Sequence, residues 1–373
     1  MATRDGLSWP RVQALATRER ADYIARHPAS QALAVQAAPH LLFGVPMHWM
    51  NDWSTPFPLT VAKASGAHFI DADGMQYADF CLGDTGAMFG HAPAPVAAAI
   101  ARQATRGYTA MLPSSDAAPV AAELARRFGL PYWQFALSAS DANRFMLRWL
   151  RAATGRSKIL VFNGCYHGTV DDVFVDLENG VPVQRTSLLG QVHDLTAHTV
   201  VVEFNDLAAL DAALSARDVA CVLAEPVMTN VGMVLPQPGY WDAAQDIIAR
   251  HDTLLVIDET HTISSGPGGY AQAHGMRPDA VVIGKPLAGG LPCAAYGMTE
   301  ELARRVEHAK RSAPAGHSGI GTTLSANMFA MAAMRANLEQ VMTAAPTHRC
   351  SPWRSNWPTG CAPASPGTGC HGA

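Results

Sequence analysis

The chain has 373 residues, of which 49% are hydrophobic and 16% are charged, and its formal net charge is −4. This composition allows a large buried core and excludes an intrinsically disordered protein. The sequence contains no basic stripe and no apolar run of about 20 residues, so we expect neither a nucleic-acid partner nor a membrane partner. Its first residues lack the apolar stretch of a signal peptide, and seven cysteines are too few for a disulfide scaffold of this length, so we expect a cytoplasmic protein.

The N-terminal part of the chain predicts a helix followed by a small antiparallel meander. Residues 9–27 carry an amphipathic helical pattern that ends near Pro28. Residues 57–80 contain short alternating runs that are broken by Ser-Gly and Asp-Gly pairs, which are typical of hairpin turns. We assign the helix and the meander to a first region, residues 1–85.

From about residue 93 the pattern changes to alternating helices and strands. Helical patterns include DANRFMLRWLRAAT and stretches near 206–216 and 238–251. The candidate strands are YWQFAL, KILVF, HTVVVEF, VACVLAE, TLLVID and DAVVIG. Most of them lack polar alternation, which is typical of parallel strands that helices cover on both faces. We therefore predict an α/β fold with a mainly parallel central sheet over residues 86–330.

Two ionisable residues follow candidate strands, where ligands bind in open α/β sheets. Asp258 ends TLLVID, and a buried carboxylate there needs a cation or a hydrogen-bond donor. Lys285 follows DAVVIG and precedes the glycine-rich PLAGGLP; among the four lysines only this one has such a setting, and lysine forms Schiff bases with carbonyls. Taken alone, a helix cap at Asp258 and a solvated loop lysine at Lys285 are equally good interpretations.

Three further segments could contribute to a site at the same sheet edge. LSASDAN joins a strand to a helix whose free amides could bind phosphate, although Ser140 or Asp141 would equally serve as a plain helix cap. Tyr166 and His167 follow KILVF, where the tyrosine could stack on a planar cofactor or simply pack in the core. Glu225 adds one more carboxylate at the end of a strand.

The order of these segments resembles the pyridoxal-phosphate enzymes of fold type I. A small-residue turn, YHG, a strand ending in Glu-Pro, a strand ending in Asp and a lysine 27 residues later follow one another as in that group. More narrowly, the chain resembles the class III aminotransferases, which include the ω-transaminases and glutamate-1-semialdehyde aminomutase. The resemblance runs from about residue 40 to about residue 344 and includes DADGMQYADF and GHAP.

This resemblance implies a site for pyridoxal 5′-phosphate and no metal site. Lys285 would bind the cofactor as a Schiff base and, once released, move the substrate's α-proton. Asp258 would pair with the protonated pyridine nitrogen, which makes the ring an electron sink. Tyr166 would lie against the ring with His167 beside it. The other implied cofactor-binding residues are Ser138, Ala139 and Ser140 at the phosphate, Glu225, and Thr323 supplied by a partner subunit.

Several positions depart from the family pattern. These are Ala139 for a usual glycine, Asp141 for glutamate, Thr260 for valine and Thr229 for glycine. The segment MHWMNDWSTPFPL contains no arginine or lysine, although relatives that handle amino acids often have an arginine there to bind the substrate carboxylate. Either the carboxylate is held elsewhere or the substrate lacks one.

The end of the chain differs in composition from the rest. Residues 331–344 predict the start of a helix that, by the resemblance, leads into a C-terminal domain in relatives, and we expect most of that domain to be missing here. Residues 345–373 contain no Leu, Ile, Val, Met, Phe or Tyr and hold three of the seven cysteines. We interpret this tail as the product of a shifted reading frame; the alternative is a natural disordered tail.

The resemblance predicts amino-group transfer between an amine or amino acid and a keto or aldehyde acceptor. It also implies a homodimer with shared active sites. Two alternatives remain open from the sequence: an intramolecular aminomutase that uses the same lysine and cofactor, and a non-catalytic truncated product.

Overall fold

The computed structural model describes residues 8–343. Within this range the chain divides into two units: one runs as far as Leu82 and includes Gly90–Ala92, and the other contains Gly83–Phe89 and the described residues from Pro93 onward. No helix in the described range is long and apolar enough to cross a membrane. The tail on which the frameshift interpretation depends lies outside the described residues.

The first unit contains two helices and a three-stranded antiparallel sheet. They are α1 (Trp9–Arg26), α2 (Pro28–Ala37), β1 (Val61–Ser65), β2 (His68–Asp71) and β3 (Gln76–Ala78). The predicted meander is therefore confirmed. The first predicted helix is followed directly by a second one, because Pro28 occupies the first position of α2, where a missing N–H leaves no hydrogen bond unmade.

The second unit is an α/β structure built around a seven-stranded sheet. Its helices are α3 (Ala94–Ala104), α4 (Ala117–Phe128), α5 (Ala139–Thr154), α6 (Leu207–Leu214), α7 (Tyr240–Arg250), α8 (Gly269–Ala273), α9 (Glu300–Ser312) and α10 (Met328–Gln340). Its strands are β4 (Tyr132–Ala136), β5 (Lys158–Phe162), β6 (Val175–Glu178), β7 (Val181–Gln184), β8 (Thr199–Val202), β9 (Val219–Ala224), β10 (Leu254–Asp258), β11 (Ala280–Ile283) and β12 (Ala294–Met298).

The large sheet has the strand order β4-β12-β11-β10-β9-β5-β8. The strands from β11 to β8 pair in parallel, and β12 pairs antiparallel with both β11 and β4. The predicted mainly parallel sheet is thus confirmed. The separate hairpin of β6 and β7 was not predicted, and neither was β12, whose Ala-Ala-Tyr-Gly-Met run has little β-branched character.

Burial and register place the functional groups at one edge of the sheet. Every residue of β9, β10 and β11 is buried, as expected for strands with helices on both faces. Because these three strands are adjacent and parallel, their carboxyl ends meet at the same edge. Asp258 is the last residue of β10, while Glu225 and Lys285 follow β9 and β11 directly or within two residues.

Candidate active site

A pocket of about 440 Å³ opens at the carboxyl ends of β9, β10 and β11. The predicted site residues that line it are Ser138, Ala139, Ser140, Tyr166, His167, Glu225, Asp258 and Lys285. These residues come from five separate segments of the chain, so the fold brings together what the sequence spreads over about 150 positions.

The Asp258 carboxylate lies at the pocket wall and is held by three donors. Its Oδ2 accepts hydrogen bonds from Asn143 Nδ2 and His167 Nδ1, both at 2.9 Å, and its Oδ1 accepts one from the Thr260 amide at 3.0 Å. Burial by itself would raise the pKa of Asp258, but the bonds from His167, Thr260 and Asn143 outweigh burial and hold the pKa below its usual value. The group is therefore ionised at neutral pH.

The His167 imidazole forms a buried ion pair with Asp258. Burial opposes the charged form, yet the hydrogen bond to the carboxylate raises the pKa of His167 above its usual value. Asn143 ties this pair to the backbone, since its Nδ2 also donates to the carbonyl of His167 at 3.0 Å. His167 and Asn143 therefore fix the orientation of the Asp258 carboxylate.

The Lys285 side chain projects into the pocket from a strained backbone. Its φ is +47°, in the left-handed region that non-glycine residues adopt rarely. Its Nζ donates to Asp84 Oδ2 at 2.6 Å and lies in hydrogen-bond contact with His261 Nε2. The side chain is only 23% exposed, so the amine lies inside the pocket wall.

The N-terminus of α5 forms another wall of the pocket. Ser138 caps this helix, because its Oγ accepts from the Asp141 amide at 3.1 Å. The first amides of a helix have no carbonyl partner within the helix and suit an anion. Ser140 Oγ accepts from the Thr169 amide at 3.0 Å, and Gly168, with φ +84°, has no room for a Cβ beside Ser140.

Ala139 fits at the start of α5 because the residue facing it is a glycine. A Cβ at Gly284 would lie 2.9 Å from the Ala139 Cβ, so one of the two positions must lack a side chain. Ala139 has no positive φ, which leaves its amide available at the helix N-terminus. The departure from the family's usual glycine therefore needs no backbone rearrangement.

Three pocket-lining side chains have a buried polar atom without a hydrogen-bond partner among the described residues. These atoms are Glu225 Oε1, Thr260 Oγ1 and His167 Nε2. The other carboxylate oxygen of Glu225 accepts from the Thr229 amide and hydroxyl, so the threonine that departs from the family pattern holds Glu225 in place. Unpartnered buried polar atoms are costly, and their position in a pocket wall points to a ligand.

Tyr166 and Thr323 differ in their relation to the pocket. Tyr166 lines the pocket and is 42% exposed, so its ring is available to a planar group. Thr323 is exposed between α9 and α10 and does not line the pocket of its own chain. The site of a single described chain therefore assembles every predicted residue except Thr323.

Three residues of the site were not predicted from the sequence. His261 stands three residues beyond Asp258, and its position just after the same strand end is a signal that places it at the pocket. Asn143 lies in the helix segment that was singled out for its first residues alone. Asp84 gave no signal at all, because 201 positions separate it from Lys285.

Comparison with known proteins assigns the family. The model of the family described as aminotransferase class-III matches residues 49–351. The chain is 36% identical to a glutamate-1-semialdehyde 2,1-aminomutase of Roseiflexus castenholzii over 293 residues, which cover 76% of this chain and 65% of that protein. The chain thus belongs to the class III aminotransferase family, and it spans slightly less than two thirds of that relative's length.

Solved structures agree with the assignment. A glutamate-1-semialdehyde aminomutase from Pseudomonas aeruginosa PAO1 superposes with a TM-score of 0.87 at 49% identity, covering 91% of this chain and 76% of that one. A variant of that Pseudomonas protein was crystallised in complex with PMP. An ω-transaminase from Sphaerobacter thermophilus gives a TM-score of 0.77 at 28% identity, covering 86% and 75% of the two chains.

Proposed function

We propose that this protein binds pyridoxal 5′-phosphate and transfers an amino group between an amine or amino acid and a keto or aldehyde acceptor. One observation carries the proposal: a single pocket is lined by an amine, an ionised carboxylate and the open N-terminus of a helix. The family membership and the PMP complex of the Pseudomonas relative support the choice of cofactor.

The residues present fit this cofactor. The first amides of α5 and Ser140 would hold the phosphate, and Asp258 has a remaining lone pair for the pyridine N–H after its three hydrogen bonds. Tyr166 would contact the ring, and the unpartnered Thr260 hydroxyl would face it. When bound, the cofactor would supply an aldehyde that condenses with an amine and a ring that accepts electrons from a carbanion.

The chain's own residues would then perform two tasks. Asp258, held ionised by His167 and Asn143, would keep a proton on the pyridine nitrogen. Lys285 would hold the cofactor and, as a free amine, take up a substrate proton at Nζ and return it. Its place between Asp84 and His261 keeps that nitrogen within the pocket wall.

Reduction with borohydride tests this assignment. Incubation with pyridoxal phosphate, reduction and peptide mapping should place the label on Lys285, because Lys63, Lys158 and Lys310 do not line the pocket. Lys285→Arg, which keeps the positive charge, should abolish the label. A label on another lysine would overturn the assignment, and no label on any lysine would favour the non-catalytic alternative.

An intramolecular aminomutase is the second candidate. The observation that favours it is the name carried by the Roseiflexus and Pseudomonas relatives. Both reactions use the same lysine and cofactor, so the pocket residues do not separate them. The need for an external keto acid separates the two reactions. Without a keto acid, a transaminase stops after one half-reaction, whereas an aminomutase continues to turn over glutamate 1-semialdehyde.

We further propose a homodimer in which the partner subunit contributes Thr323 to the phosphate end of each site. The exposed position of Thr323 outside its own pocket supports this arrangement. The expected cytoplasmic location and the domain boundaries at residues 85, 330 and 344 stay predictions.

A further inference from the structure

We propose that Asp84 and His261 are positioning residues that together fix the direction of the Lys285 amine. The consequence of this positioning for turnover rests on the proposed function, whereas the contacts of Lys285 are observed in the described chain. Lys285 Nζ lies 2.6 Å from Asp84 Oδ2 and in hydrogen-bond contact with His261 Nε2. The Nδ1 of the same imidazole lies farther from Nζ, at 3.5 Å, and within the described residues 8–343 only Asp84 and His261 offer acceptors to Nζ.

Two acceptors are enough to fix a tetrahedral nitrogen. An ammonium group has three donor positions, and rotation about the Cε–Nζ bond normally leaves them interchangeable. When Asp84 and His261 each accept one N–H, the third position is determined and points away from both. That position is the one that would exchange a proton with the substrate, and such orientation is a major source of rate enhancement in enzymes.

The His261 ring is itself held in one orientation. Its Nδ1 lies 3.1 Å from Thr85 Oγ1, an arrangement that lets Nδ1–H donate to the hydroxyl and leaves the Nε2 lone pair for Lys285. Burial and then the positive charge of Lys285 lower the pKa of His261. The carboxylates of Asp84, Glu225 and Asp258 act in the opposite direction without reversing the shift. The imidazole is therefore neutral, and so an acceptor, at neutral pH.

A tight turn presents Asp84 and Thr85 in succession. Gly83, Asp84 and Thr85 all have left-handed φ values, of +58°, +52° and +76°. The Gly86 amide closes the turn on the Gly83 carbonyl at 3.1 Å. Two successive residues of the turn therefore bond the two interacting side chains: Asp84 contacts Lys285, and Thr85 contacts His261. Strain of this kind at non-glycine residues persists where the surrounding contacts hold it.

Chemical labelling of the full chain tests the positioning without any cofactor. Trinitrobenzenesulfonate reacts with neutral amines, and mass spectrometry can quantify each of the four lysine peptides separately. An amine held by two acceptors is less free to turn toward the reagent, so removing an acceptor should accelerate labelling of Lys285. We expect roughly a tenfold increase in Asp84→Ala, which removes the carboxylate acceptor, and roughly a fivefold increase in His261→Leu.

His261→Gln is the matched variant, because a glutamine side chain offers an acceptor but does not titrate. Labelling of Lys285 in His261→Gln should stay within about twofold of wild type. Lys63, Lys158 and Lys310 should react equally in all four proteins, which shows that the variants are folded. Equal labelling of Lys285 in wild type, Asp84→Ala and His261→Leu would overturn the proposal. Asp84 is mostly exposed, so Asp84→Ala remains informative even if His261→Leu does not fold.

A second measurement addresses turnover. As pH falls through the lowered pKa of His261, Nε2 gains a proton and no longer accepts, so kcat should fall on the acid side while KM changes little. His261→Gln should lack this acid limb. Identical kcat profiles in the two proteins would contradict the positioning role. If pyridoxal phosphate does not bind at all but the labelling pattern appears, the proposed function fails and the positioning stands.

Discussion

At the scale of single residues, the charge of Asp258 depends on its neighbours. A fully buried carboxylate tends to take up a proton, and three hydrogen bonds reverse that tendency here. His167 and Asn143, which hold the Asp258 carboxylate, are therefore as necessary to the proposed chemistry as Asp258 itself.

Asp258→Asn should separate cofactor binding from turnover. Asparagine has nearly the same shape, so Lys285 should still be labelled by pyridoxal phosphate and borohydride. A neutral amide cannot keep the pyridine nitrogen protonated, and turnover should fall by at least about 100-fold. Asp279→Asn is the control, because Asp279 bonds the Leu255 amide within the same sheet but does not line the pocket. Turnover of Asp258→Asn within a few-fold of wild type would refute the role of Asp258.

At the scale of secondary-structure elements, the start of α5 connects fold stability with anion binding. Ser138→Ala removes the cap and should lower the free energy of unfolding by about 1 kcal/mol. It should also weaken binding of pyridoxal phosphate, because the first turn that would hold the phosphate is loosened. Thr299→Ala removes the hydroxyl cap of α9 far from the pocket. Thermal unfolding should change similarly in both variants; equal cofactor affinity in both would contradict a role for the α5 cap.

The close contact between Gly284, just before Lys285, and Ala139 in α5 leads to a prediction about stability. Gly284→Ala would place a Cβ 2.9 Å from that of Ala139 and should lower the free energy of unfolding by roughly 1–3 kcal/mol. Adding Ala139→Gly removes the clash and should restore most of the lost stability, as chemical denaturation would show. A double variant no more stable than Gly284→Ala alone would mean that the two positions do not share this contact.

The sequence predicts those helices and strands whose signal lies within their own consecutive residues. Buried strands such as β9 and β10 are built on apolar runs, and the carboxylates at their ends, Glu225 and Asp258, both line the pocket. The run of β12 was missed because alanine and glycine carry no strand preference. Its Gly297 is required by a distant side chain, since a Cβ there would lie 2.6 Å from the Trp133 ring. The role of Asp84 likewise depends on a residue that is distant in the sequence, because only the folded chain brings Asp84 to Lys285.

At the scale of the whole molecule, one pocket of the described chain contains every predicted site residue but one. The predicted residue outside it is Thr323, which lies in a segment whose turn is held by bonds from the Thr322 amide and hydroxyl to Ser325 Oγ. A side chain that serves the site from outside its own chain requires a second copy, and a two-fold dimer would make the exchange reciprocal.

Mixed dimers test that exchange directly. In a hybrid of Thr323→Ala and Lys285→Ala chains, one site would combine the Lys285 of the first chain with the Thr323 of the second, and the other site would lack both. Thr323→Ala alone should bind pyridoxal phosphate more weakly, and Lys285→Ala alone should be inactive, so the mixture should exceed the mean activity of the two parents. Thr322→Ala is the matched control: it loses the bond to Ser325 but should gain nothing from mixing. Native mass spectrometry would verify that hybrids form. If they form and activity stays at the mean of the parents, each subunit works with its own residues alone, and Thr323 has no part in the partner's site.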